Sequence, residues 1–284
     1  LDAETLGVVV QLPEALEASH LGAALGDEAF GRQVFERLRA IGIVSGGQSP
    51  VLHEEVRRAL SEELTAEGRS ARTTFPGNVV TSIIQARSYP DALPGLEIIG
   101  EISRWGRADP FIEIGERTLN ALAHCARLSR TQTELNRVAR TAQLLDDGTR
   151  QQLLRPGRAG SLEDCLAILE TIHRAGRSRF VSDRIRTVSA FAASAEGRLL
   201  EARALFGTGE LVVALQRVIG LIESPDFQPH SRFGLAVRCY RAVFERNAGH
   251  ALLAVRLHRE VLEERISLLG HADIDVAQSQ NDLG

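Results

Sequence analysis

The sequence predicts an all-α protein, and three observations carry that prediction. Apolar residues recur at helical spacing in a succession of helix-length stretches between Val79 and Leu269, separated by short breaks at Pro, Gly and Asp. Ala, Leu, Arg and Glu are abundant while aromatic residues make up only 5%, a composition that favours helix. Ile43-Val44 and Val51-Leu52 are short β-branched segments about a turn, and beyond Thr73 there is almost no strand signal. At 284 residues, 44% hydrophobic and 25% charged, the chain has the makings of a sizeable core. Collagen-like, disordered and disulfide-scaffold classes are thereby excluded.

Taken in order, Pro13 and Glu14 suit the first turn of a helix, where Pro loses no hydrogen bond and Glu meets the positive end of the dipole. A short apolar helix around His20 to Leu25 follows, then a Gly26-Asp27 turn and a longer helix from Glu28 to Ile41. Phe30, Val34, Leu38 and Ile41 fall on one face of that helix and are expected in a core. Ile43-Val44, the turn Gly46 to Pro50, and Val51-Leu52 predict a small hairpin, and Glu54 to Glu63 another helix. Helix, turn, helix, hairpin, helix is the order of a winged helix. Residues 1–72 are therefore expected to form one small domain and residues 73–284 a second.

The second domain opens with a turn at Phe75 to Asn78. Amphipathic stretches predict helices at Val79–Arg87, Leu96–Trp105, Ile112–Leu128, Thr133–Leu145, Leu162–His173 and Ser182–Ser194. Four more follow, at Leu199–Phe206, Leu211–Ile222, Gly234–Phe244 and Ala251–Leu269. Breaks are expected at Pro90, Pro94, Asp146-Asp147-Gly148, Pro156-Gly157, Gly207, Pro225, Pro229 and Gly249. Paired helices with short turns and almost no strand signal predict an α-solenoid or bundle. Gly249, Ala254, His258 and Val261 repeat the offsets of Gly209, Ala214 and Val218 about forty residues earlier.

Two resemblances sharpen this picture. The stretch Val34-Phe35-Glu36-Arg37-Leu38-Arg39-Ala40-Ile41-Gly42-Ile43-Val44, with Val51-Leu52-His53-Glu54-Glu55-Val56-Arg57-Arg58 after it, resembles the winged helix that follows the nucleotide-binding core of STAND-type signalling ATPases (NB-ARC and relatives). Glu263 to Ala277, with Leu269-Gly270-His271 and then Val276-Ala277, and the ending Asn281-Asp282-Leu283-Gly284, resembles kinesin-light-chain-like tetratricopeptide repeats. Asp273-Ile274 stands where that subclass carries its His-Pro pair. The resemblances imply an α-solenoid of tetratricopeptide-like helix pairs with an incomplete last repeat, the sensor half of a STAND-type regulator whose ATPase core would precede Leu1. They also imply a groove for a protein or peptide partner, and homo-oligomerisation through the open C-terminal repeat.

Chemistry is sought and mostly not found. His53-Glu54-Glu55 lacks the second His of a zincin, and the adjacent His124-Cys125 point about 100° apart on a helix and cannot act together. Asp146-Asp147 fits a turn, and no glycine-rich loop has the spacing of a phosphate cradle. Trp105 between Arg104 and Arg107 fits packing at a helix end. Cys125, Cys165 and Cys239 are widely spaced in apolar-periodic stretches, which predicts buried packing and no disulfide framework, and with it a reducing cytoplasm. No catalytic residue, cofactor or metal is therefore expected. No apolar run approaches the ~18 residues needed to cross a bilayer, so no membrane partner is expected.

Two surfaces stand out as binding candidates. Arg256, Arg259, Glu260 and Glu263 form a charged helix face that either is simply solvated or lines the groove. Arg32, Gln33, Arg37 and Arg39 lie on the helix that a winged helix would present to DNA, so the alternative reading is a DNA-binding transcriptional regulator. Glu28 and Glu36 share that helix, and the net charge is −4, which favours docking to a neighbouring domain. Met is absent and all 33 basic residues are Arg. Average usage gives roughly five Met and about a dozen Lys, so selenomethionine and methylated lysine are expected to be hidden from the written chain. Such losses would make −4 too negative and blur the register of Leu235 to Phe244.

Overall fold

The computed structural model describes residues 9, 17–40, 44, 93–98, 116–148, 154, 156 and 161–283. The described residues form helices and their turns, with no strand among them, so the all-α expectation holds. The chain divides into two compact units, Leu1–Thr171 and Ile172–Gly284. The boundary expected after residue 72, the helix expected at 54–63, and the hairpin except for Val44 lie outside the described residues.

In the first unit, α1 (Ala18–Leu25) and α2 (Glu28–Ala40) form an antiparallel-type hairpin whose turn is written locally. Gly26 closes α1 in the left-handed conformation (φ 73°), and the Asp27 carboxylate accepts the Phe30 N–H at 2.9 Å to cap α2. The two helices meet at glycine: a Cβ on Gly31 would stand 2.3 Å from the Gly22 nitrogen. Only an unsubstituted residue permits that approach. Val34, Phe35 and Leu38 then face inward. Phe30, expected beside them, is 43% exposed, because it lies in the first turn, beyond the Gly31 crossing, and Phe35 takes the inward place.

A helical segment at 93–98 buries Leu93, Leu96 and Ile98. Pro94, expected to break a helix, is itself helical within this segment. Next come α3 (Glu116–Leu128), α4 (Gln132–Gly148) and α5 (Leu162–Arg174). The backbone of Asp146-Asp147-Gly148, expected as a turn, continues α4. A capping box starts that helix: Thr131 Oγ1 accepts the Glu134 N–H, and the Glu134 carboxylate accepts the N–H groups of Thr131 and Arg130. Those bonds hold the Glu134 carboxyl below its ordinary range.

The second unit continues with α6 (Ser178–Thr187), α7 (Ser189–Ala193), α8 (Ala195–Gly207), α9 (Leu211–Ile222), α10 (Arg232–Asn247), α11 (Ala251–Leu269) and α12 (Ile274–Leu283). The single helix expected at Ser182–Ser194 is split, because Val188 takes an extended backbone (φ −111°, ψ 106°) between α6 and α7. Gly207, expected as a break, ends α8, and the turn proper is Thr208-Gly209. From α8 onward each helix packs on the next, and their core joins Leu199, Ala202, Leu205, Ala214, Val218, Leu221, Val237 and Phe244. Phe244 is fully buried and stacks on Phe206 at 4.9 Å between ring centroids. Residues 232–247 form one unbroken helix with Leu235, Val237, Cys239, Ala242 and Phe244 buried.

One local device recurs. The hydroxyls of Ser161, Ser194 and Ser231 accept the N–H three residues on, at 3.0, 3.0 and 2.9 Å, and so cap α5, α8 and α10. Each of those helices ends at a left-handed glycine, Gly176 (φ 83°), Gly209 (φ 87°) and Gly249 (φ 90°). At all three the glycine N–H donates to the carbonyl three residues back and the next N–H to the carbonyl five back. The following helix starts immediately. Three helices, α5, α8 and α10, are thus capped and turned alike.

Candidate functional site

On α11, Arg256, Arg259, Glu260 and Glu263 are all exposed, as a helix of this register requires: the apolar positions Ala254, Leu257 and Val261 take the opposite face. Glu260 is partly occupied by Arg238 of α10 at 3.5 Å, and Arg256 approaches it at 3.9 Å. Arg238 also binds Glu264 at 2.6 Å, and His230 meets the same carboxylate at 2.7 Å. Burial raises the Glu264 carboxyl, but the hydrogen bonds from Arg238 and His230 outweigh it and hold the group below its ordinary range. Leu252 lies one turn before Arg256 and is 90% exposed, with Val255 half-exposed beside it. Val212, forty residues earlier and likewise second in its helix, is 70% exposed on α9.

On α2, Arg32, Gln33, Arg37 and Arg39 are exposed. Arg32 pairs with Glu28 at 3.2 Å along the helix. A cleft of 560 Å³ lies against Glu28, Ala29, Arg32, Gln33 and Glu36. Two carboxylates and one guanidinium line it, so its local charge does not attract phosphate.

The first unit also carries a polar cluster that no sequence motif announced. Glu97 accepts two hydrogen bonds from Arg137 at 2.8 Å and faces His20 Nε2 at 2.7 Å, while Glu17 joins Arg137 at 3.2 Å. His20 Nδ1 accepts the Glu17 N–H at 2.9 Å, which places the ring proton on Nε2, where it points at Glu97. Burial opposes ionisation of Glu97, yet the hydrogen bonds from Arg137 and His20 and the charge of Arg137 prevail and hold its carboxyl at about 2. The Arg137 guanidinium is correspondingly held charged. Residues from both expected domains share this cluster, with Glu17 and His20 on one side and Glu97 and Arg137 on the other.

The three cysteines are buried and free. Burial pushes the thiols of Cys125 and Cys165 up to about 12, aided by Glu97 and Asp164 respectively, so neither is a nucleophile at neutral pH. His53 and Trp105 lie outside the described residues. Cys239 is different in its company. Its sulfur, an imidazole nitrogen of His258 and a carboxylate oxygen of Asp282 all lie within 4.8 Å of one another. The three come from α10, α11 and α12, and their separation along the chain matches no local ligand motif; sequence reasoning placed Cys239 in the core and His258 only in a repeat register. Among the described residues no helix is long and apolar enough to cross a membrane. Comparison with family models, with curated proteins and with solved structures finds no match to this chain.

Proposed function

We propose that the chain is a non-catalytic binding scaffold, a solenoid of tetratricopeptide-like helix pairs that takes a protein or peptide partner. The observation that carries this reading is the recurrence of one helix-pair unit, with the same serine cap and the same left-handed glycine turn. Spacing supports it: thirty-three residues separate Ser161 from Ser194 and Gly176 from Gly209, and forty separate Gly209 from Gly249. Such pairs cannot bury both faces alone and stack on their neighbours, which leaves long surfaces free for partners. Val212 and Leu252 put an apolar side chain into water at equivalent places. Beside Leu252, Arg256, Arg259 and Glu263 supply charge for orientation. In this reading the N-terminal helices, including Arg32, Gln33, Arg37 and Arg39, are a winged helix that relays occupancy to a neighbouring domain, as in STAND-type regulators. Leu268 and Ile274, exposed near the last turn, are the place where a second copy would cover the final repeat.

A displayed library of random peptides selected on the purified chain tests this. The expected result is a family of peptides whose affinity drops at least tenfold in the double variant Leu252→Asp, Arg256→Glu, with the helical spectrum unchanged. Peptides that bind the variant equally, or no enrichment at all, would overturn it. A random DNA duplex in the same assay separates the rival reading. Binding that steepens at low salt and vanishes in Arg32→Glu, Arg37→Glu would make the chain a DNA-binding regulator.

A further inference from the structure

We propose that Cys239, His258 and Asp282 form a site for one zinc-class divalent cation that staples α12 to α10 and α11. The geometry is that of a small closed site: Sγ, a ring nitrogen and a carboxylate oxygen lie within 4.8 Å of one another, each from a different helix. A tetrahedral zinc centre holds such atoms about 3.3–3.8 Å apart. The half-buried Asp282, near the end of its helix, can close the difference by a change of rotamer.

An independent observation points at a ligand. His258 is 2% exposed, and neither of its ring nitrogens has a hydrogen-bond partner. A neutral imidazole carries one donor and one acceptor, and buried polar groups are almost always satisfied. The other buried histidine of the described residues, His20, has both nitrogens engaged. In His258 a bare lone pair faces a thiol and a carboxylate, which is what a cation takes up. A thiolate, an imidazole and a carboxylate select zinc over magnesium or calcium, which prefer oxygen alone.

Charge and protons balance. Binding transfers the Cys239 S–H proton to solvent, and thiolate plus carboxylate neutralise the dication. Water supplies the fourth ligand on the side of Asp282. Two guanidinium groups stand beside the site: Arg265 hydrogen-bonds the Cys239 sulfur, which favours its thiolate, and also donates to the Asp275 carbonyl at 2.8 Å and to Ser279 Oγ at 2.6 Å, while Arg246 donates to the Asp282 carbonyl at 3.4 Å. Gln278 donates to Asp282 Oδ1 at 3.0 Å and leaves Oδ2, 3.7 Å from the sulfur, to face the site. A nucleophilic role for this Cys-His-Asp group is excluded by burial, since Cys239 at 7% and His258 at 2% exposure admit no substrate. The inference stands apart from the peptide-binding reading and survives its failure.

Cobalt(II) is the probe. Added to chelator-treated full-length chain, it should give equimolar binding, a near-ultraviolet thiolate-to-metal band and the intense visible bands of a tetrahedral site. Zinc should displace it and raise Tm, and chelator should reverse the rise. Cys239→Ser should abolish the thiolate band. If that variant loses its helical spectrum, Asp282→Asn, at the half-buried helix end, decides: affinity should fall at least about tenfold with the fold intact. Absence of the thiolate band in the parent chain, or cobalt and zinc affinities unchanged in folded Cys239→Ser or Asp282→Asn, would overturn the proposal.

Discussion

The two units solve the same problem, burying amphipathic helices, with contacts of different reach. In the first, the Glu97 cluster ties together groups 77 positions apart (His20 and Glu97) and 120 apart (Glu17 and Arg137). In the second, α6 packs on α8 across the short α7, each helix from α8 onward packs on the next, and the side-chain bonds that join them reach 43 positions, as from Arg232 to Asp275. Buried carboxylates there are also answered nearby: Glu201 on α8 takes Arg186 at 3.0 Å and Arg217 at 3.4 Å, and Glu245 takes His250 at 2.7 Å. The second unit therefore distributes its described contacts over successive helix interfaces, whereas among the described residues of the first unit a non-local knot joins three separate segments.

Two core substitutions test that contrast with the largest effects. Phe244→Ala removes a fully buried ring stacked on Phe206 and should cost about 4 kcal/mol. Its damage should stay near: in hydrogen exchange, amides of α8 to α11 lose protection most, and α6 less. Arg137→Leu leaves Glu97 buried without its main partner and should cost about 3 kcal/mol. Here α1, residues 93–98 and α4 should lose protection together while α8 to α11 keep theirs. Equal loss of protection in both units from either substitution would break the comparison.

Acid sharpens it further. Glu97 binds its proton less readily when folded, at about 2 against an ordinary 4.5. The folded first unit therefore holds fewer protons than the unfolded chain between those values. Its stability from this group is complete above pH 4.5 and is lost as pH falls toward 2. Denaturant midpoints measured by hydrogen exchange from pH 5 to pH 3 should fall in the first unit. Glu97→Gln should flatten that fall at the cost of a lower starting value. A pH slope untouched by Glu97→Gln would place the acid sensitivity elsewhere.

The same difference in reach explains what could be read without coordinates. Leu211–Ile222 and Ala251–Leu269 were legible to the residue, because each is an amphipathic run bounded by local signals, a glycine turn before it and a break after. Phe30 misled, since helical spacing shows a face but not where along it the partner helix crosses; the crossing is set by Gly31 against Gly22. Val188 misled for the opposite reason: nothing in its neighbours marks the extended backbone that splits α6 from α7. The Glu97 cluster and the Cys239-His258-Asp282 group were invisible for a common cause. Each joins single residues from three or more segments, and no local period records that they meet.

The smallest effect asks most sharply whether the second unit is built of independent repeats. Ser194→Ala and Ser231→Ala each remove one cap, leaving the Gly197 or Gly234 N–H without its acceptor, and each should cost about 1 kcal/mol. The caps belong to successive pairs and share no partner, so the double variant should cost the sum to within about 0.5 kcal/mol. Gly249→Ala should add about another 1 kcal/mol, because a Cβ at φ 90° is strained although nothing stands within 4 Å of it. Urea unfolding of the single and combined variants measures all of these terms. Additivity is what nearest-neighbour stacking of like units requires. A coupling well above 0.5 kcal/mol between Ser194 and Ser231 would mean that α8 and α10 answer to one shared core rather than to their own helix pairs, and the division between a knotted first unit and a stacked second one would fall.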